Sequence, residues 1–333
     1  MRTLATREEE TTTRRPMTGP KVWDRATLDD ASYMITVEPH QAEACLRIRA
    51  DLRRRGKRID TVEAADFIDP ALAEVADAIT EHVHSGAGFI VVRGLPFDGW
   101  TEEEASMLYW GLGTYLGRPL QQNRAGERVY LVQDTGATLM EARGSKTNVG
   151  MIYHTDSASA FVGSRPDILA LMCLRKAVSG GESLMISGHT AYNILLATRP
   201  DLVAVLYGQF LFDRSKDTAE GEDSVSRGSV FTDTEEGVHI RYNRLHIELG
   251  HHLSGHPLTA LQREALDAFD AILNDPANSI DFTMEPGDVF FADNNAMLHN
   301  RNAFHDATEV DNRRCLVRLW LATATVESNP RSR

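Results

Sequence analysis

Short apolar runs separated by glycine, proline and polar turns dominate this 333-residue chain from about residue 150 to its end. Runs of this length, rich in β-branched and aromatic residues, are typical of β-strands. The predicted strands are 151–162, 168–174, 183–187, 229–233, 237–243, 280–284, 288–293 and 314–323. They do not alternate regularly with helices, and no G-x-G-x-x-G follows a strand, which disfavours a nucleotide-binding doubly wound sheet. The pattern predicts a jelly-roll type of barrel that is mainly β, with flanking helices.

Helical apolar spacing predicts most of the remaining elements. Thr101 and Glu104 form a capping box that begins one helix, and Gly117 is a natural end for it. The other predicted helices are 41–56, 70–84, 188–198, 200–207 and 258–274, and a buried strand is predicted at 88–96. Residues 1–20 are polar and charged and are expected to form a mobile tail. No linker or internal repeat divides 21–330, which we expect to be a single domain.

Composition narrows the class of partner. The chain has 35 Lys and Arg residues and 48 Asp and Glu residues, which gives a formal net charge of −13. This charge argues against nucleic acid or an anionic membrane as partner. Cys45, Cys173 and Cys315 are few and far apart, so they predict reduced thiols in a cytoplasmic protein. The N-terminus has no secretory signal pattern, and no run approaches the roughly 18 apolar residues of a membrane span. A homo-oligomer is compatible with the sequence, which does not specify the oligomeric state.

An imidazole and a carboxylate, His154 and Asp156, interrupt the apolar stretch MIYHTDSASAFVG. On a strand, residues two apart share a face, so both groups would point to one spot and bind a metal. The pair alone is equally compatible with an ordinary polar pair at a strand edge. His299 follows a predicted strand and a polar bend and is the candidate third ligand.

Two arginines alternate with an apolar residue on the last predicted strand. Arg314, Leu316 and Arg318 share one face of it. A charged pair in an otherwise apolar strand is unfavourable unless each arginine meets an anion.

Taken in order, these segments form a set that resembles the iron(II)/2-oxoglutarate-dependent oxygenases, and within them the taurine dioxygenase/2,4-dichlorophenoxyacetate dioxygenase family. The resemblance runs from about residue 85 to 323 and rests on HTD at 154–156, GGESL at 180–184, PGDVFFADN…LH at 286–299 and RRCLVRLW at 313–320. It implies a double-stranded β-helix, a jelly roll of the clavaminate synthase-like kind.

The resemblance also implies a cofactor set of iron(II), 2-oxoglutarate as cosubstrate, and O2. By position, the iron ligands are His154, Asp156 and His299. Arg314 matches the arginine that binds the far carboxylate of 2-oxoglutarate, and Ser183 stands where the family often has a threonine that donates to the same group. The reaction implied is oxidative decarboxylation of 2-oxoglutarate coupled to hydroxylation, desaturation or ring formation. Halogenation is disfavoured because the carboxylate ligand is present.

Substrate contacts are less constrained by the motifs. Arg318 matches a second pocket arginine, which in taurine dioxygenase meets the anionic group of the substrate, but it could equally brace Asp293 or another buried carboxylate. Asn148 and His246 are further candidates for substrate contact. We therefore expect a small substrate that is anionic or amino-acid-like. A non-catalytic β-barrel that binds a carboxylate, or a zinc-dependent hydrolase using the same triad, are the alternatives.

A second group of histidines lies in RLHIELGHHLSGH, residues 244–256. Such clusters can bind zinc, although no spacing here matches a helical H-E-x-x-H. The Gly and Pro residues around it predict a polar loop after a strand.

Overall fold

The computed structural model describes residues 14–123, 126–138, 144–160, 164–218 and 221–323. Its strands are β1 (Met34–Thr36), β2 (Phe89–Arg93), β3 (Arg118–Pro119), β4 (Tyr130–Val132), β5 (Ile168–Arg175), β6 (Ser179–Gly180), β7 (Ser183–Ser187), β8 (Phe210–Asp213), β9 (Val225–Gly228), β10 (Phe231–Thr234), β11 (Gly237–Ile240), β12 (Ser279–Phe282), β13 (Val289–Asp293), β14 (Met297–Arg301), β15 (Phe304–His305) and β16 (Cys315–Ala322). Its α-helices are α1 (Pro39–Arg54), α2 (Pro70–Thr80), α3 (Glu102–Leu116), α4 (Gly188–Thr198), α5 (Pro200–Leu206), α6 (Arg244–Leu253) and α7 (Ala260–Leu273).

Two sheets form the centre of the molecule. The larger has the strand order β1-β2-β13-β5-β16-β3, with β4 also paired to β16, and the smaller has the order β12-β7-β14. Every pairing in them is antiparallel except β1 with β2. Side chains from both sheets meet in one buried cluster, so the sheets face each other. The predicted jelly roll is confirmed.

Alternation along the strands explains the layers. In β13, Val289 and Phe291 point to one side of the larger sheet and Phe290 and Ala292 to the other. The first side packs against α1, α2 and α3, and the second faces the smaller sheet. The outer face of the smaller sheet packs in turn against α4, α5 and α7. Because the larger sheet is buried on both faces, its strands read as continuous apolar runs.

The helix boundaries follow from capping side chains. At the start of α3 the Thr101 hydroxyl accepts from the N–H of Glu104, and the Glu104 carboxylate accepts from the N–H of Thr101. The predicted capping box is confirmed. Thr259 and Gln262 make a second capping box at the start of α7. Across the stretches of chain that the structure describes, none of the helices combines the length and the apolar character needed to cross a bilayer.

The predicted strand at 151–162 is wrong for its described part. Within residues 151–160, pairing is limited to single bridges at His154, and Ser157 has a left-handed φ of 55°. The backbone of this segment is held by side chains in place of a ladder, since Asp156 N–H donates to Asn294 Oδ1. Residues 161–163 lie outside the described residues.

The predicted polar loop at 244–256 is also wrong, because residues 244–253 form helix α6. Asn243 caps this helix by accepting from the N–H of His246 at 3.1 Å. Gly250 lets the helix backbone lie against β8, where a Cβ atom would come within 2.5 Å of the Leu211 carbonyl oxygen. The cap and the close approach favour the helix, which ends just before Gly255, a residue with a left-handed φ of 69°.

The start of the chain also differs from the predicted tail over its described part. Arg14 pairs with Asp233 at 3.0 Å, and the backbone of Met17 exchanges hydrogen bonds with the Asn193 side chain. Residues 14–20 therefore lie on the domain surface, while residues 1–13 lie outside the described residues.

Gly111 in α3 provides a test of the packing between α3 and the segment before α2. A Cβ atom there would overlap the fully buried ring of Phe67. Alanine gains about 1 kcal/mol of helix propensity over glycine, but overpacking costs about 1–3 kcal/mol. We expect Gly111→Ala to lower the free energy of unfolding in urea.

Gly113→Ala is the matched control in the same helix. Its nearest neighbour would be Leu319 Cδ1 at 3.1 Å, a side-chain end that can rotate away. We expect it to be neutral or stabilising. Equal stability of the two variants would contradict the packing described here.

Candidate metal centre and cofactor pocket

A pair of reciprocal backbone hydrogen bonds brings two of the predicted ligands together. His154 N–H donates to the His299 carbonyl and His299 N–H donates to the His154 carbonyl, both at 3.0 Å. This bridge attaches the segment before Asp156 to β14, and it places the two imidazole ring centres 4.2 Å apart.

Asp156 reaches the same point through a turn held by Asn294. Asp156 N–H donates to Asn294 Oδ1 at 2.7 Å, and Asn294 Nδ2 donates back to the Asp156 carbonyl at 3.0 Å. Asp156 Oδ1 then lies 3.5 Å from His154 Nε2 and 3.7 Å from His299 Nε2. The three side chains place their ligand atoms within 4.8 Å of one another, and no other such group of ligand-type side chains occurs in the residues that were described.

The protonation states suit a metal. His154 Nδ1 donates to the Ile152 carbonyl, which leaves Nε2 as an acceptor. Burial, assisted by the neighbouring His154, lowers the pKa of His299 to about 3, so its imidazole is neutral near pH 7. Burial by itself would raise the pKa of Asp156. The charge of Arg318 and then the two histidines lower it by more, so the pKa of Asp156 lies well below the usual range. Two imidazoles and one carboxylate are the donor set of non-haem iron(II) oxygenases.

The second oxygen of Asp156 is also fixed. Asp156 Oδ2 accepts from Trp320 Nε1 at 2.7 Å and from Arg318 Nη1 at 3.2 Å. We did not predict a role for Trp320 from the sequence. The sequence could have indicated that Trp320 lies on the same strand face as Arg314, Leu316 and Arg318, because it continues their alternation.

Arg318 lies between two aromatic rings in the cavity wall. Its guanidinium carbon is 4.8 Å from the ring centre of Tyr130 and 4.1 Å from that of Trp320. Arg318 Nε donates to Gln122 Oε1 at 2.9 Å, and Nη2 is buried without a hydrogen-bond partner. Arg318 therefore braces a buried carboxylate, which is Asp156.

Asp293, the other partner considered for Arg318, is engaged elsewhere. It pairs with Lys21 at 2.5 Å. The ion pair ties the N-terminal segment to the end of β13.

Arg314 lies just before β16 and is 5% exposed. Burial lowers the pKa of Arg314, although an arginine side chain stays cationic in proteins. Its guanidinium carbon is 5.1 Å from the ring centre of Phe304, and Nη1 is buried with no hydrogen-bond partner. A buried cationic donor without a partner is expensive, so this group is suited to an anionic ligand.

Six of the eight predicted residues meet around one cavity between the two sheets. Its wall is made by the described residues Val132, Ser145, Met151, His154, Asp156, Leu169, Leu171, Ser183, Met185, Phe290, His299, Asn300, Arg301, Arg314, Leu316 and Arg318. Ser183, at the start of β7, is opposite Arg301 of β14 in the register. Three arginines and one carboxylate are the formally charged groups of this wall, which therefore favours anions.

Arg301 is a further cavity residue that we did not predict from the sequence. It is 6% exposed, and its Nη2 donates to the carbonyls of Thr147 and Val149 at 3.0 and 2.5 Å. Burial and then the charge of Arg314 lower the pKa of Arg301 to about 10. In the sequence, only the position of Arg301 two residues after His299, on the same face of a strand, could have indicated that it lies at the cavity.

The two remaining candidates lie outside the cavity wall. Asn148 is exposed, and its carbonyl accepts from Phe304 N–H at 3.1 Å. His246 lies in the first turn of α6. In the same histidine cluster, His251 is buried, donates to the His256 carbonyl and accepts from Leu211 N–H, so it is satisfied without a metal.

Solved structures of two oxygenases share this fold. Asparagine oxygenase in complex with Fe(II), 2S,3S-3-hydroxyasparagine and succinate aligns with a TM-score of 0.68 at 20% identity, over 87% of this chain and 94% of that one. The non-heme iron oxygenase OrfP in complex with Fe and α-ketoglutaric acid aligns with a TM-score of 0.63 at 17% identity, over 87% and 94%.

Two proteins found by sequence comparison have a higher sequence identity to this chain than these two structures do. FR-33289 synthase of Streptomyces rubellomurinus is 31% identical over 317 residues, 92% of this chain and 91% of that protein. The taurine hydroxylase-like protein SAT17 of Stachybotrys chartarum is 30% identical over 258 residues, 75% of this chain and 65% of that protein. The family described as taurine catabolism dioxygenase TauD, TfdA family matches residues 52–320. The chain belongs to this family and is an iron(II)- and 2-oxoglutarate-dependent dioxygenase.

Proposed function

We propose that His154, Asp156 and His299 hold the iron(II) of this dioxygenase. The proposal is supported by the convergence of two imidazole nitrogens and one carboxylate oxygen on one side of the cavity. A three-ligand site of this kind leaves positions open for cosubstrate and oxygen. The intact carboxylate supports hydroxylation, with desaturation or ring formation as related outcomes.

Arg314 and Ser183 bind the far carboxylate of 2-oxoglutarate in this proposal. The supporting observation is the partnerless Nη1 of Arg314 in the cavity wall that also contains the histidines. A guanidinium can grip a carboxylate through two parallel hydrogen bonds, and the Ser183 hydroxyl supplies another donor.

When bound, iron with 2-oxoglutarate and O2 supplies the oxidising chemistry that releases succinate and carbon dioxide and oxidises a C–H bond of the substrate. The chain's own contribution is to position the reactants and exclude water. Leu169, Leu171 and Phe290 give the cavity an apolar wall beside its charged groups. Such a wall strengthens the charged contacts of the site by lowering the local dielectric.

The substrate in this proposal is a small molecule with a carboxylate or similar anionic group, amino-acid-like in character. Arg318 Nη2 is the donor that would meet it, because it is buried, partnerless and part of the cavity wall. The 3-hydroxyasparagine in one solved relative, and the hydroxylated arginines bound by OrfP, are compatible with this class. The net charge of −13 supports a small molecule over nucleic acid or a membrane surface, and the reduced thiols expected of the three cysteines support a cytoplasmic location. Asn148 and His246 stay predicted substrate contacts.

Succinate formation is the experiment that tests the function. Purified protein with iron(II), 2-oxoglutarate and O2 should release succinate when a library of small anionic and amino-acid-like compounds is screened, with mass spectrometry of each product. Succinate with iron but not with zinc is the expected result. Turnover with zinc alone, or ligand binding without succinate, would favour the hydrolase or the binding protein instead.

Loss of a ligand should remove the metal. We expect Asp156→Ala and His299→Ala to lose bound iron(II) and all turnover while the far-ultraviolet circular dichroism stays native. His246→Ala is the control and should keep its metal content, measured by elemental analysis. Full metal content in both ligand variants would refute the assignment.

Arg314→Lys tests the cosubstrate contact. A lysine keeps the charge but cannot reproduce the two-pronged contact. Loss of a charge-assisted hydrogen bond costs about 1.5–3 kcal/mol, so the KM for 2-oxoglutarate should rise about 10- to 100-fold. An unchanged KM would mean that another residue holds that carboxylate.

Arg318→Met tests the substrate contact. We expect a large rise in substrate KM, because the anion loses its donor, and little change in the KM for 2-oxoglutarate. Iron affinity must be measured alongside, since Arg318 also touches Asp156. A substrate without an anionic group would rule out this role.

A further inference from the structure

We propose that Trp320 is a positioning residue that holds one oxygen of Asp156 so that only the other faces the metal. The inference rests on the proposed role of Asp156 as an iron ligand. Trp320 Nε1 donates to Asp156 Oδ2 at 2.7 Å, while Oδ1 is the oxygen beside His154 and His299. The carboxylate therefore presents its two oxygens to different neighbours.

The indole is held rigidly enough for this task. Trp320 pairs with Leu169 of β5 in the register, and its carbonyl accepts from Leu120 N–H at 2.8 Å. Backbone contacts on both sides of β16 thus fix the direction of the side chain. The guanidinium of Arg318 lies over the indole ring and limits its rotation.

Arg318 alone cannot fix the Oδ2 atom of Asp156 in the way that Trp320 does. Its N–H groups are divided between Asp156 at 3.2 Å, Gln122 at 2.9 Å and the cavity. An anion arriving at Nη2 competes for the guanidinium. Trp320 has a single N–H, which goes to Asp156, so its hold does not depend on what occupies the cavity.

Loss of this N–H should change the coordination. The terminal torsion of an aspartate is broad and roughly two-fold, so a carboxylate released at Oδ2 can turn and offer both oxygens to the metal. A two-oxygen contact would use a position that the cosubstrate or O2 needs. Removing an outer hydrogen bond to a ligand typically costs about 10- to 100-fold in metal affinity or activity.

The test compares Trp320→Phe with Trp110→Phe. Trp110 is a matched control because it is buried in α3 and its Nε1 makes no hydrogen bond. Each protein is titrated with Co(II) under anaerobic conditions, and the ligand-field absorption of the loaded protein is recorded together with urea unfolding of the metal-free protein. We expect Trp320→Phe alone to bind Co(II) about 10- to 100-fold more weakly and to change the absorption spectrum.

A second replacement guards against misfolding. Site-specific incorporation of β-(3-benzothienyl)alanine at position 320 keeps the bicyclic shape and lacks only the N–H. It should reproduce the weaker Co(II) binding and the altered spectrum with native stability. Parent-like affinity and spectrum in this variant would overturn the role of Trp320, provided that Asp156→Ala loses the metal. Retention of metal by Asp156→Ala would instead overturn the proposed function and this inference with it.

Discussion

The reciprocal hydrogen bonds between His154 and His299 are the contact on which the site depends. They join an irregular segment to a strand of the smaller sheet, so the candidate ligand side chains come from segments far apart in the sequence. Asn294 completes the arrangement, because it fixes the backbone of Asp156 through both its oxygen and its nitrogen. Asp156 lies on a turn, and its contacts to Asn294, which directly follows β13, fix its position.

Charge organises the rest of the cavity. Arg301 donates through Nη2 to two carbonyl groups of the neighbouring segment, and Arg301 Nε, Arg314 Nη1 and Arg318 Nη2 are each buried without a hydrogen-bond partner. The unpartnered terminal nitrogens of Arg314 and Arg318 are suited to a ligand, whereas Nη2 of Arg301 is already used by the protein. The wall is thus prepared for anions at two places, on either side of the apolar residue Leu316.

Sequence patterns predicted the parts of this protein that obey local rules. Apolar runs and capping boxes located most strands and helices, and the alternation of Arg314 and Arg318 placed both in one cavity. The segment around Asp156 was misassigned because side chains distant in sequence replace its ladder partners. Helix α6 was missed because its stability comes from packing of Gly250 on the Leu211 backbone. Trp320 was missed because the alternation along β16 places it on the same face as Arg318 but does not specify its contact with Asp156.

The N-terminal segment gives the site an attachment that lies outside the residues matched by the family. Lys21 binds Asp293, the residue before Asn294, and its carbonyl accepts from the Ser187 hydroxyl. The family match begins only at residue 52. Because Lys21 holds Asp293 and the adjoining Asn294 fixes the backbone of Asp156, the stiffness of the turn at Asp156 depends in part on a segment that precedes the family match.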